Sequence, residues 1–424
     1  MILGLFPVNF MADDMLLLLS VLVFVAILVS KIGFKYGVPS LLLFLGVGML
    51  FGQDGMGIEF DNFNKSQFFG NWALSVIILA GGLQTDFKKI KPILAPGVML
   101  STLGVVLTAL FTGIFIYLIF RVLGVDRNIS LIVCCLLAAV MSSTDSASVF
   151  SILKGSKMKL KEHLQPMLEL ESGSNDPMAF VLTIVLTHTI LNIQNAGAEH
   201  MNTVSIILNS LFVLFLQIAS GVAVGFAIGY GARWLLRKFH LHDKALYAIM
   251  VLCIGFFSNS FAEVVKGNGL LALYITGIII GNTKDLPNRG EVFTFFDSFT
   301  WLAQALIFLL LGLLVDPSEL PTVALPAILA CLFMSFVGRP LSVFICLFPF
   351  RKFSMRARIF VSWVGLKGAG PILFAIYPVV SKMDGSKDIF NIVFVVTLIS
   401  LLIQGMTLAS SARWLKVEKL EEEE

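Results

Sequence analysis

Apolar residues run through this chain in long unbroken stretches, separated by short polar connections. There is no period-two alternation of the kind a half-buried sheet requires. Thirteen stretches approach the roughly 20 residues that a helix needs to cross a bilayer. They lie at about 14–33, 39–52, 68–86, 92–120, 128–153, 163–190, 203–232, 245–262, 268–283, 293–315, 321–349, 359–380 and 389–412. The pattern predicts an all-α polytopic membrane protein with about 13 transmembrane helices. The second stretch is short for a crossing, and several others contain Gly or Pro.

Composition agrees with the pattern. Of 424 residues, 57% are hydrophobic and 13% are charged, about half the roughly 25% charged share of a soluble protein. The net charge of +3 matters less than where the charges fall. Connections on one side of the predicted bundle carry 22 of the 30 Lys and Arg, including Lys88, Lys89, Lys91, Lys154, Lys157, Lys159, Lys161, Arg233, Arg237 and Lys238. The other side carries six, Arg127 among them, and the remaining two, Arg339 and Lys367, fall inside apolar stretches. Basic residues collect on the cytoplasmic side of short-looped membrane proteins. The expected topology is multi-pass, with the N-terminus outside and the C-terminus in the cytoplasm.

The segment Met1–Asp14 lacks the basic start of a cleavable signal, so the first stretch is expected to be retained. All five cysteines lie in apolar stretches without metal-binding spacing and are expected to be packing residues. The charged end Val417–Glu424 has no core of its own, and no soluble regulatory domain is expected in this chain. Residues 1–424 are expected to form a single transmembrane domain.

Two stretches are broken near their middles by polar or flexible sequence. Ser142-Ser-Thr-Asp-Ser146 interrupts the fifth and Gly365-Leu-Lys-Gly-Ala-Gly-Pro371 interrupts the twelfth. These are corresponding positions of two halves, at about 14–190 and 245–412, flanking a linker helix at about 203–232. Interrupted helices placed in this way are the sequence pointer to a binding site at the midplane of a secondary transporter. Breaking a helix in lipid frees backbone groups that must be satisfied and leaves partial charges at the half-helix ends. Asp145 and Lys367, one at each break, carry opposite charges suited to those ends.

The sixth stretch holds the densest polar chemistry, Glu169-Leu-Glu-Ser-Gly-Ser-Asn-Asp-Pro177. An ionisable group at bilayer depth costs roughly 3 kcal/mol on insertion scales and persists where it handles ions or protons. Asp176 is the leading candidate for a shared cation and proton site. Ser172, one turn earlier on the same face, offers a hard oxygen to an alkali cation, and Thr144 offers another from the fifth stretch. Asn175 and Asp145 complete the candidate set. Glu171 lies about 140° around the helix from Asp176, so it suits a different role. Arg339 and Lys367 are its candidate partners within the membrane, and Arg339, with its permanently charged fork, is the preferred one for a structural ion pair. Glu169 is nearer the cytoplasmic end, where it can line an entrance.

The run Glu171-Ser-Gly-Ser-Asn-Asp-Pro-Met-Ala179 resembles the Asn-Asp signature of NhaP-type monovalent cation/proton antiporters, the branch that includes the sodium/proton exchangers. Ser143-Thr-Asp-Ser-Ala147, Trp301–Gln304 with Leu311–Ser318, Gly338-Arg-Pro340 and Ser362–Ala369 are similar to other family motifs and occur in the family's order. The resemblance implies thirteen helices in inverted repeats. It also implies a core, at about 92–190 and 321–412, that moves against a dimer-forming panel. Asp176 would bind cation or proton with Thr144 and Ser172 as oxygen donors, and Glu171 would pair with Arg339. Asn175 stands where electrogenic relatives carry a second aspartate, which implies one proton per cation. The chain is most similar to the bacterial potassium/proton subgroup, which implies the inner membrane, K+ favoured over Na+, and a homodimer. Lys367 departs from the family's usual arginine, keeping the charge and losing the fork.

No cofactor, catalytic residue or nucleic-acid partner is expected. Two competing classes remain at this stage. An intramembrane aspartyl hydrolase would use Asp145 and Asp176 as a dyad, and a cation channel would conduct without coupling to protons.

Overall fold

The computed structural model describes residues 12–36, 38–58, 60, 62–124, 129–155, 158–196, 203–239 and 242–419. The start of the Met1–Asp14 segment, Arg127, Lys157 and the acidic residues Glu421–Glu424 lie outside the described residues. Within them the secondary structure is helical, apart from one isolated antiparallel bridge between Leu160 and Glu418.

The first helices are α1 (Ala12–Tyr36), α2 (Ser40–Phe51) and α3 (Phe63–Gln84), the last N-capped by the Asn62 side chain, which accepts from the Lys65 N–H at 3.0 Å. The fourth apolar stretch is segmented. It comprises α4 (Phe87–Ile90), α5 (Leu94–Met99) and α6 (Val105–Leu123), with a π turn at Leu100–Gly104 between the last two. A left-handed Gly124 closes α6, as glycine does at many helix ends. Next come α7 (Leu131–Val140), α8 (Ser146–Gly155), the 33-residue α9 (Leu164–Ala196) and the 36-residue α10 (Thr203–Lys238).

The remaining helices are α11 (Ala245–Val264), α12 (Gly269–Gly281), α13 (Arg289–Leu313), α14 (Leu320–Phe333), α15 (Arg339–Leu347), α16 (Met355–Trp363), α17 (Ala369–Val380) and α18 (Ser386–Trp414). A second π turn, Met334–Gly338, joins α14 to α15. Among the described residues, eight runs are long and apolar enough to cross a membrane, and five shorter apolar helices fall on the other predicted stretches.

Packing sorts the bundle into two groups. In one, α3 lies against α12 and α13, and α2 against α13. Small residues allow this close approach: a methyl on Gly48 of α2 or on Gly312 of α13 would overlap the facing backbone. With no hydrophobic drive between helices in lipid, such van der Waals contact is what holds them together. In the other group, α6, α9 and α18 pack against the broken helices α7–α8 and α16–α17, with α14 against α6 and α18. Large apolar side chains such as Leu208, Phe212, Phe215, Phe336 and Leu341 are exposed on the outside, the inverse of a water-soluble surface. Cys134, Cys331 and Cys346 are buried as expected of packing residues, but Cys253 is exposed on α11, where an apolar surroundings accepts a thiol as readily as a core does.

Both predicted breaks occur. The chain unwinds at 141–145 between α7 and α8, and again at 364–368 between α16 and α17. Ser and Thr hydroxyls compete for local backbone groups at the first break: the Ser142 hydroxyl donates to Ala139 C=O at 2.6 Å. Gly365 and Gly368, poor helix formers, open the second. The two unwound stretches meet where Asp145 N–H donates to Leu366 C=O at 2.8 Å.

Beside them, the Lys161 N–H donates to Val417 C=O and the Lys419 N–H to Lys159 C=O, both at 2.8 Å. These bonds clip the connection into α9 onto the chain that leaves α18.

Candidate functional site

The unwound crossing brings four half-helix ends together with four charged side chains. Asp145 caps α8, accepting from the Ser148 N–H at 3.3 Å and from the Ser148 hydroxyl. It also sits against the start of α17, where a Cβ on Gly368 would fall within 2.8 Å of three Asp145 atoms. Asp176 accepts from the Ser143 hydroxyl, and its Oδ1 lies 3.4 Å from where a Gly370 Cβ would be. Both carboxylates thus stand at positive helix N-termini. The cations occupy the opposite ends. Lys367 Nζ donates to Ser143 C=O, just beyond α7, at 3.0 Å. Arg339 donates to Val361 C=O at 3.3 Å and Val364 C=O at 3.1 Å, at the end of α16.

Helix α9 divides the polar residues among its faces. Glu169, Ser172, Gly173 and Asp176 line a cavity of about 320 Å³ that is also bounded by Gln84, Asp145, Asp297, Thr300 and Gln304. Glu171 and Asn175 point the other way, and both are buried. Arg339 donates to Glu171 Oε1 at 2.9 Å, and both residues are almost wholly enclosed, at 6% and 2% exposure. The Asn175 amide donates to the Thr144 hydroxyl, and the Ser172 hydroxyl donates to Thr144 C=O.

Of the predicted binding residues, Asp176, Ser172 and Asp145 share the cavity wall, whereas Thr144 and Asn175 do not line it. Their hydrogen bonds instead hold the unwound stretch onto α9. Lys367 is fixed at a helix end, and Glu171 and Arg339 lie side by side across a compact space lined by Ser142 and Ser342.

Several participants were not singled out in the sequence. Ser143 and Ser148 bond the two aspartates, a part that the serine-rich break itself could have suggested. Asp297 and Gln84, joined at 2.8 Å, stand at the cavity wall on α13 and α3, and nothing in their local sequence marks them. Asn268 caps α12 through the Leu271 N–H at 2.9 Å and donates to Pro177 C=O at 2.8 Å, tying α12 to the residue after Asp176. Among the described residues no cluster of three or more His, Cys, Asp or Glu is placed to hold a resident metal.

An apolar-surfaced helical bundle with a polar centre built on two crossed, broken helices defines a polytopic membrane protein. Within that class, the chain belongs to the sodium/hydrogen exchanger family: the family model described as "Sodium/hydrogen exchanger, transmembrane" matches residues 18–414. It is 38% identical over 403 residues to the K(+)/H(+) antiporter NhaP2 of Shewanella oneidensis, covering 94% of this chain and 66% of that protein. It is 37% identical over 408 residues to the K(+)/H(+) antiporter NhaP of Alkalimonas amylolytica, covering 95% and 67%. The chain therefore spans just under two thirds of the first relative's length. Its fold is similar to that of the sodium proton antiporter MjNhaP1 from Methanocaldococcus jannaschii, with a TM-score of 0.79 at 21% identity over 94% of this chain and 97% of that one.

Proposed function

We propose that this protein exchanges an alkali cation for protons across the bacterial inner membrane as a secondary antiporter, with K+ favoured and Na+ the alternative. The observation that carries this reading is the placement of Asp176. It faces a cavity at the crossing of two broken helices, and its hydrogen bond comes from a neutral hydroxyl. Family membership supports the reading, and the potassium preference rests on the names of the relatives above.

Asp176 carries either a proton or a dehydrated cation, with Ser172 and Asp145 contributing oxygens from the same cavity wall and Thr144, braced by Asn175 and Ser172, holding the unwound stretch in place. Only the occupied site crosses, because an empty carboxylate would enter a low-dielectric region as an unpaired charge. That penalty couples the two fluxes. With Asn175 uncharged, the exchange is electroneutral, one proton per cation. The Glu171–Arg339 pair and Lys367 hold the crossing together and carry no ion.

The movement is elevator-like, with core helices at about 92–190 and 321–412 sliding against a panel that also forms a homodimer. Thirteen crossings in two inverted repeats, at about 14–190 and 245–412 around a linker at about 203–232, form one transmembrane domain. The paired breaks and the paired π turns, at Leu100–Gly104 and Met334–Gly338, support this division. The basic bias puts the N-terminus outside and the C-terminus inside. On that orientation the cavity, whose wall includes Gln84, Gln165 and Glu169 near the lysine-rich connections, faces the cytoplasm.

Reconstitution in liposomes with a pH-sensitive dye, titrating K+, Na+ and Li+ in turn, tests the reading. Asp176→Asn should fold and exchange nothing. Cation flux driven by a pH gradient that survives in Asp176→Asn would overturn the assignment.

A further inference from the structure

A second cavity, of about 600 Å³, lies on the far side of α9 from the ion site. It falls in the range of roughly 300–1,000 Å³ that ligand pockets occupy. Its walls come from both helix groups: α4 and α5 on one side, α10 and α12 on the other, and α9 as the floor, through Leu170, Ser174, Pro177 and Met178. Leu94, Val98, Phe226 and Tyr230 line it and are themselves exposed, so it opens sideways on the outer wall of the bundle, where lipid lies.

Most of the lining is apolar, and its one charged residue, Arg233, stands at one end. Arg233 is half-buried there and makes no hydrogen bond or ion pair among the described residues. Tyr230, Arg233, Trp234, Arg237 and Lys238 enclose an adjoining space of about 490 Å³. Arg237 is held by Asp285 at 3.0 Å, and Lys238 lies 5.0 Å over the Trp234 ring. Phe87 begins the opposite wall, and its N–H donates to Asn282 at 2.8 Å at this same end.

We propose that this cleft binds one anionic phospholipid. Its phosphate is held by Arg233 with Arg237 and Lys238 around it, and an acyl chain fills the apolar cavity against the back of α9. Three independent features favour this occupant. Charge is complementary, since the unpaired guanidinium suits a phosphate fork to fork. Depth agrees, since Tyr and Trp mark the headgroup level of a membrane protein. Length agrees too: from Arg233 to Ile218, the two ends of the α10 wall, is about 22 Å at helical rise. That equals one leaflet with its headgroup, roughly 20–22 Å.

The test uses the full chain in neutral detergent, with thermal unfolding followed as phosphatidylglycerol, phosphatidylcholine of the same acyl chains, or inorganic phosphate is added. Phosphatidylglycerol should raise Tm by an amount on the order of 2–4 °C, phosphatidylcholine by clearly less, and phosphate not at all. Arg233→Gln should remove the difference between the two lipids, and Val222→Trp, which fills the apolar wall, should reduce the effect of both. Equal stabilisation by the two lipids, an undiminished phosphatidylglycerol effect in Arg233→Gln, or the same shift with phosphate alone would overturn the proposal. So would a Tm that follows protein concentration and ignores lipid, the mark of a second copy in the cleft. None of these readouts depends on transport, so failure here leaves the exchange reading untouched.

Discussion

The buried pair of Glu171 and Arg339 allows a quantitative test of what holds the crossing together. At 2.9 Å, two unit charges attract by about 6 kcal/mol at an effective dielectric of about 20, and that attraction offsets a desolvation penalty of several kcal/mol for each ion. Glu171→Gln keeps the shape but leaves the Arg339 charge buried with only the Val361 and Val364 carbonyls. Breaking a buried pair in this way typically costs about 3–5 kcal/mol. The two remaining carbonyl contacts place the expected loss near the lower figure.

The double variant Glu171→Met with Arg339→Met removes both charges and should recover part of that loss. Recovery stays incomplete because the α16 carbonyls lose their donor, at about 1–3 kcal/mol. Reversible unfolding of the purified protein in mixed micelles, run as a double-mutant cycle, measures the coupling. A loss below about 1 kcal/mol for Glu171→Gln would show that the pair contributes little. An Arg339 variant that abolishes exchange at unchanged stability would instead move that residue into the ion path.

Other expectations follow from the same geometry. If Asp176 serves both ions, apparent cation affinity should weaken as pH falls, by up to about tenfold per unit once the proton occupies the site; uptake kinetics that stay flat from about pH 6.5 to 8.5 would exclude a shared carboxylate. Gly368→Ala should displace Asp145, lowering stability by about 1–3 kcal/mol and slowing exchange, because the new methyl would overlap that side chain. Gly370→Ala, whose methyl would meet its neighbours at 3.1 and 3.4 Å, should be tolerated much better; the reverse order of the two in a melting and flux assay would contradict this packing. Asn268→Ala should lower stability by about 1–2 kcal/mol, as loss of a helix cap does, and a melting temperature equal to that of the unaltered protein would discount the link to Pro177.

Much of the helical layout was legible because hydrophobicity in lipid has one simple demand, a run long enough to cross. The two breaks were legible for a related reason: Ser142–Asp145 and Gly365–Gly368 are sequences that an apolar helix has no other use for. Spacing along α9 separated Glu171 from Asp176, and the two do face different ways. What stayed hidden depends on three dimensions. Thr144 reads as an oxygen donor because of its chemistry, yet its hydroxyl and carbonyl are both taken by α9, a contact across 28 residues or more. Asp297 and Gln84 meet across 213 residues, and no local pattern announces such a pairing. The π turns leave no compositional mark, because a widened turn is set by packing against neighbours.

The two backbone bonds between Lys159–Lys161 and Val417–Lys419 turn separate helices into a closed mechanical circuit. The connection into α9 and the residues just past α18 separate only by giving up both bonds, so a displacement of one favours carrying the other with it. A tug on the chain beyond α18 is therefore delivered, through a few residues of backbone, to the helix that bears Asp176.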